Sequence, residues 1–318
     1  MPALGPAFLC LEKNFDDSYL ENEQILVMVQ FSRDISMRKI FVLLALLLLS
    51  GCQTGPVKNS AMLESPLIFK ASESTKGLAS NTLYFPESTT SEVKFPTVIL
   101  MHSCAGITPK NRGDLERWKS LLMDNGYAVL VMNHLSSRGV SVNCGRFKSL
   151  GQGRLVRDVY DATDFLSKQT RVDATRIFTL GFSLGAMTGS SAASRSQYSY
   201  NGSGKTRPRA VAGLYGGCVY GGAIYWLDTD IDLPVLWLMG GKDQEAPAND
   251  CQNVFKRLRN KDLMKSHLYP DATHCWDCMD LDGFSKKAGN GNNVTYRYNG
   301  EYTRDSERRV IEFFSSFK

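Results

Sequence analysis

The chain has 318 residues, 43% of them hydrophobic and 22% charged, an ordinary globular composition that excludes a largely disordered chain and suits one large α/β domain or two small ones. Its formal net charge of +5 is modest and its basic residues are scattered. The densest basic group, Lys256, Arg257, Arg259 and Lys261, reads as a solvated helix face, so nucleic acid is not an expected partner.

The amino-terminal region reads as an export signal. Met37, Arg38 and Lys39 form a positive lead, residues 40–49 an apolar run, and Leu49-Ser50-Gly51-Cys52 a small-residue cleavage site. Ten apolar residues fall short of the ~20 that a helix needs to cross a bilayer. The Leu-Ser-Gly-Cys ending resembles the lipobox of bacterial lipoproteins, which implies that Cys52 is lipidated and anchors the mature chain to a membrane. Gln53, rather than aspartate, follows Cys52, and by the same resemblance this implies the periplasmic face of the outer membrane. Residues 1–36 carry Glu12, Asp16, Asp17, Glu21, Glu23 and Asp34, an acidic lead where a basic one is wanted, so Met37 is the expected start and 1–36 an extension. Residues 52–64 are polar with Gly and Pro and read as a tether, leaving 65–318 as the domain.

In chain order, residues 65–70 and 81–85 read as edge strands, and 95–101 is a continuous apolar run of the kind buried in a parallel sheet. Residues 114–123 have helical spacing at Leu115, Trp118, Leu121 and Leu122 and stop at Asn125-Gly126. Residues 127–132 form a second buried strand. Residues 154–167 form a helix with Leu155, Val159, Ala162, Phe165 and Leu166 on one face. A strand at 176–180 is followed by Gly181-Phe-Ser183-Leu-Gly185 and a helix to about residue 193. Strands at 209–214, 234–239 and 266–269, a helix at 248–259 and a closing helix at 305–317 complete the pattern. The polar stretches 194–208 and 275–304 read as loops. Strands alternating with helices predict a doubly wound, mainly parallel sheet in a single domain, because parallel strands need helical crossovers. No internal repeat or second-domain boundary is visible.

Gly-x-Ser-x-Gly between a strand and a helix is the pattern of a nucleophile elbow, a strained turn that pushes a serine hydroxyl into a cleft. The motif is short, so its weight comes from what stands at the ends of the other strands, where reactive groups collect in such sheets. Asp243 follows the strand at 234–239, and His274 follows the strand at 266–269. The order Ser183, Asp243, His274 is that of α/β-hydrolases. A neutral serine needs an imidazole to take its proton and a carboxylate to orient that imidazole. Among four histidines, His102 and His134 precede the serine and His267 lies inside a strand, which leaves His274; Glu245 and Asp250 are the rivals of Asp243. A tetrahedral intermediate needs two N–H donors, expected from the backbones of Leu184 and Cys104.

These residues resemble the dienelactone hydrolase family of α/β-hydrolases. The likeness rests on residues 98–106, on 133–139 with Cys144 following, on 181–185, on 241–248 and on 269–274, and runs from about residue 81 to the end. It implies Ser183, Asp243 and His274 as nucleophile, acid and base, with Cys104 and Leu184 as oxyanion donors. The enzymes that name the family use cysteine as nucleophile; the serine here is more like their carboxylesterase and peptidase-like relatives. Ser103, standing where glycine or glutamate is usual in the family, and Arg138, suited to a substrate carboxylate, are the candidate substrate contacts, although Arg138 equally suits a structural anchor of its loop. The implied activity is cleavage of a small carboxylic ester through an acyl-serine, with no metal or organic cofactor. A peptidase or acyltransferase on the same triad is the alternative enzyme, and a non-catalytic binding lipoprotein the alternative from another class.

Of eight cysteines, Cys104, Cys144, Cys218, Cys251, Cys275 and Cys278 remain once Cys10 and Cys52 are set aside. An exported chain meets an oxidising compartment, so these six read as disulfides, with Cys104–Cys144 and Cys218–Cys251 preferred over Cys275–Cys278. Cys275-x-x-Cys278 also fits a redox pair or half a zinc site, but no second half completes the latter.

Overall fold

The computed structural model describes residues 60–88, 92–144, 150–220 and 224–317, which belong to one compact unit. The expected signal sequence, residues 37–51, the extension expected before it and Cys52 lie outside the described residues. The chain order is α1 (Ser60–Glu64), β1 (Lys70–Ala71), β2 (Thr82–Tyr84), β3 (Phe95–Met101), α2 (Arg112–Asp124), β4 (Ala128–Met132), α3 (Gln152–Ser167), β5 (Val172–Phe182), α4 (Leu184–Ala192) and α5 (Arg195–Asn201). It continues with β6 (Ala210–Leu214), β7 (Val219–Tyr220), β8 (Ile224–Tyr225), β9 (Val235–Gly240), α6 (Ala248–Phe255), β10 (Met264–Tyr269), β11 (Ser285–Lys287), β12 (Asn293–Thr295) and α7 (Gly300–Ser315). Eight strands form one sheet in the order β1-β2-β4-β3-β5-β6-β9-β10, parallel throughout except where β2 meets β4. This is the α/β-hydrolase architecture.

The apolar runs make central strands because both faces of the sheet are covered. Alternation along β3 sends Val98 and Leu100 to one face and Ile99 and Met101 to the other. The first pair packs with Trp118 of α2 and Phe314 of α7, the second with Val156 and Val159 of α3, all fully or almost fully buried. Each such aliphatic side chain contributes about 1.5–3 kcal/mol over its exposed state. The registers Met101↔Gly181, Phe182↔Leu214, Leu214↔Leu238 and Tyr269↔Gly240 bring the carboxyl ends of five strands into one row. Whatever follows those ends shares one edge of the sheet.

Some boundaries differ from the sequence expectation. Residues 65–70 pair only at Lys70, because the Ser65 carbonyl is instead held by the Arg138 side chain. The stretch 194–208 contains helix α5, whose first turn is capped by the Ser194 hydroxyl accepting from the Gln197 N–H at 3.2 Å. The stretch 275–304 holds the β11–β12 hairpin and the start of α7, where the Asn299 side chain accepts from the Glu301 and Tyr302 N–H groups. Polar helices and hairpins bury little, so apolar periodicity does not announce them. Helix α6 stops at Phe255, short of Arg259.

All six cysteines are paired, as Cys104–Cys144, Cys218–Cys251 and Cys275–Cys278. The Cys-x-x-Cys pair, ranked below the other two from sequence, is closed as well. Cys275, Asp277 and Cys278 bring ligand-type atoms within 4.8 Å of one another, but the two sulfurs are bonded to each other and offer no thiolate to a metal.

Candidate active site

Ser183 joins β5 to α4 in a conformation (φ 51°, ψ −110°) that L-residues rarely adopt. Holding it costs on the order of 1–3 kcal/mol, which the surrounding packing must offset. The two glycines of the motif make that turn sterically feasible. A β-carbon on Gly181 would run into the backbone of Gly185, and one on Gly185 would lie 2.6 Å from the Met101 carbonyl oxygen. The Ser183 N–H donates to the Leu214 carbonyl at 3.0 Å, which ties the turn to β6. Leu184 is the first residue of α4, where backbone N–H groups have no partner inside the helix and the dipole favours an anion.

His274 lies on the loop after β10, 4% exposed, and its Nδ1 bonds to Asp243 Oδ2 at 2.7 Å. The other carboxylate oxygen, Oδ1, accepts from the backbone N–H groups of Glu245 and Ala246, each at 2.8 Å, so Asp243 cannot swing away. Of the two rivals of Asp243, Asp250 lies in the first turn of α6. Glu245 is closer: its Oε2 stands 3.9 Å from His274 Nε2, on the opposite side of the ring from Asp243. Lys286 and the Tyr296 hydroxyl both donate to the Glu245 carboxylate at 2.8 Å. Burial works against the His274 cation, but the charges of Asp243 and Glu245 outweigh it and hold the imidazole above its ordinary pKa. Burial likewise opposes the Glu245 anion, and His274 and Lys286 more than compensate, keeping its carboxyl below the ordinary range.

Cys104 sits on the loop after β3, tied by its disulfide to Cys144 and by its carbonyl to the Asn143 N–H at 2.8 Å. His102 braces the same loop. Its Nε2 accepts from the His134 N–H at 3.1 Å, so Nδ1 carries the proton and donates to the Ser103 carbonyl at 2.5 Å. Burial, with His134 adding to it, lowers His102 to about 4 and keeps it neutral. Ser103, Cys104, Ser183 and His274 line one cavity of about 520 Å³; Cys104, Ser183, Leu184 and His274 also line an adjoining cleft of about 1000 Å³.

Arg138 is not in either cavity. It is 2% exposed and donates to both oxygens of Asp158 at 2.8 Å, to the His134 carbonyl and to the Ser65 carbonyl. Asp158 also takes bonds from Arg154 and His134. The substrate-contact reading of Arg138 is therefore corrected, because every direction its guanidinium points is already occupied by protein. The remaining histidines are accounted for as well: His134 bonds to Asp158, and His267 meets Tyr269 edge-on within β10.

Sequence reasoning did not find Tyr215, Lys286, Tyr296 or Asp114. Tyr215 packs edge-on against His274 with ring centroids 4.9 Å apart. Lys286 and Tyr296 come from the hairpin region read as loop, where no spacing rule marks them. Asp114 fell inside a helix, where an acidic first turn is an ordinary dipole contact.

A serine in a strained strand-to-helix turn, with a buried carboxylate–imidazole pair at neighbouring strand ends, defines an α/β-hydrolase. The model of the dienelactone hydrolase family matches residues 82–318, and the chain belongs to that family of hydrolases. Solved structures agree on the fold. A Klebsiella pneumoniae protein assigned as a dienelactone hydrolase superposes with a TM-score of 0.52 at 20% identity, covering 71% of this chain and 89% of its own. A sugar hydrolase from Lactococcus lactis gives 0.51 at 12%, covering 74% and 93%, and esterase 2 from Thermogutta terrifontis gives 0.50 at 11%, covering 74% and 88%. Among curated proteins nothing matches.

Proposed function

We propose that this hydrolase cleaves carboxylic esters through an acyl-serine intermediate, with Ser183 as nucleophile, His274 as general base and Asp243 as the carboxylate that orients it. The observation that carries this reading is the 2.7 Å Asp243–His274 bond, which fixes the ring on a cavity wall shared with Ser183. Because Nδ1 is committed to Asp243, Nε2 is the nitrogen left to take the Ser183 proton as its Oγ attacks the ester carbonyl. The tetrahedral oxyanion is received by the N–H groups of Leu184 and Cys104. His274 then returns the proton to the leaving alkoxide as the C–O bond breaks, leaving the acyl-serine. Water, deprotonated by His274, attacks that acyl group, and the acid departs as Ser183 regains its proton.

A fluorophosphonate probe tests the assignment. It is expected to label the protein and to lose all labelling in Ser183→Ala; labelling that survives the substitution refutes the nucleophile. We propose further that Cys52 is the site of lipidation and holds the domain at the periplasmic face of the outer membrane. Cys52→Ala is then expected to abolish incorporation of labelled fatty acid, and unchanged incorporation refutes the anchor.

A further inference from the structure

The cavity of about 520 Å³ beside Ser183 is walled by the rings of Trp118, Phe182, Tyr215, Phe284 and Tyr296, and Asp114 stands in the same lining. Three carboxylates line it, in unlike surroundings, and Glu245 is held by Lys286 and the Tyr296 hydroxyl. Asp277 is saturated: Oδ2 accepts from Trp118 Nε1 at 2.7 Å and from Arg117, and Oδ1 accepts from the Tyr215 hydroxyl at 2.9 Å. Asp114, 8% exposed, uses Oδ1 to accept from the Met279 N–H at 3.2 Å, but its Oδ2 is buried with no hydrogen-bond partner among the described residues. A buried acceptor left without a partner is costly, and a donor brought by a bound ligand would relieve that cost. Burial, and then the charge of Asp277, push the Asp114 carboxyl up to about 6, so a hydrogen bond donated to its anion would be strongly favoured at neutral pH.

We propose that this cavity binds a hydroxyaryl limb of the ester, its ring held among the aromatic side chains and its phenolic hydroxyl donating to Asp114 Oδ2. The rings supply edge and face contacts to an aromatic guest, and the carboxylate distinguishes a hydroxylated ring from a bare one. A site that bonds a substrate hydroxyl rejects the analogue without it far more strongly than an apolar pocket rejects a change in size. Asp114 is here a specificity residue that touches substrate remote from the reacting carbonyl. This inference rests on the ester reading above, and it leaves two sources for the limb, the acid or the alcohol.

The test compares kcat/KM for four esters. On the acid side the pair is methyl 3-(4-hydroxyphenyl)propionate against methyl 3-phenylpropionate; on the alcohol side it is the acetates of 2-(4-hydroxyphenyl)ethanol and 2-phenylethanol. The hydroxylated member of one pair is expected to be preferred at least about tenfold, and the pair that shows the preference identifies the limb. Asp114→Leu and Asp114→Asn are expected to bring that ratio towards one; the second keeps an oxygen for Met279 and so guards against loss of folding. A ratio near one for both pairs in the parent enzyme, or a ratio that survives both substitutions, overturns the inference while leaving the ester reading intact. Calorimetric binding of 3-(4-hydroxyphenyl)propionamide and 3-phenylpropionamide to Ser183→Ala separates the other case. A preference for the hydroxylated amide that Asp114→Asn removes upholds the pocket even if no ester is turned over.

Discussion

Removing the Cys104–Cys144 disulfide probes fold and chemistry together. The pair closes a loop of sequence separation 40 and fixes the backbone whose N–H is assigned to the oxyanion. Chain-entropy reasoning gives about 3 kcal/mol for a 15-residue loop and about 4.7 for a 100-residue loop, so the double variant Cys104→Ser/Cys144→Ser is expected to lose about 4 kcal/mol. For a domain of this size that corresponds to a fall of roughly 8–16 °C in melting temperature. Serine keeps the N–H at position 104, and the Asn143 N–H still reaches the 104 carbonyl, so the donor is loosened rather than deleted. The loss in kcat is therefore expected to be about tenfold, short of the 10²–10³ that follows deletion of such a donor. Urea unfolding monitored by circular dichroism gives the first number, and ester hydrolysis at a temperature where both proteins are folded gives the second. A variant within ~1 kcal/mol of its parent and equally fast would refute the claim that this disulfide holds the loop in place.

Three further perturbations have defined outcomes. Glu245→Gln removes a negative charge facing His274 Nε2, which lowers the imidazole pKa; because the base must start neutral, the acid limb of the kcat/KM profile is expected to move to lower pH, and an unmoved limb speaks against Glu245. Gly185→Ala places a β-carbon 2.6 Å from one backbone oxygen and 2.8 Å from another, so probe labelling and melting temperature are both expected to fall; a parent-like variant would show that the turn has room. Arg138→Met leaves the fully buried Asp158 short of a partner, at a loss of about 3–5 kcal/mol in unfolding free energy with KM unchanged; a stable variant with a raised KM would return Arg138 to the substrate.

The parts of the site visible in the sequence were those whose chemistry forces a local pattern. The elbow needs small residues two either side of Ser183 because backbone passes against backbone there, so it leaves a motif. Asp243 and His274 are legible because buried parallel strands are continuous apolar runs, and the residues after them must meet at one edge. Glu245 meets Lys286 and Tyr296, and Asp114 meets Met279, only through tertiary contacts between segments far apart in the chain, and nothing periodic marks such meetings. Arg138 was ambiguous for the same reason. A guanidinium near a conjectured cleft reads alike whether it faces substrate or an interior carboxylate, and only the position of Asp158 decides.

The Arg138 and Arg154 guanidiniums also reach back to the carbonyls of Ser65 and Glu64, at 2.6 Å and 3.0 Å for their shortest bonds. The folded domain thus begins upstream of residue 65, with α1 occupying part of the stretch expected to be tether. Two interior cations grip the leading strand of the chain by its main-chain oxygens, independent of side-chain identity there. A tug on that leader would be borne by the Asp158 cluster on the α3 side of the sheet. His134 links that cluster to His102, which braces the loop carrying Cys104, so such a load would pass on to one wall of the site.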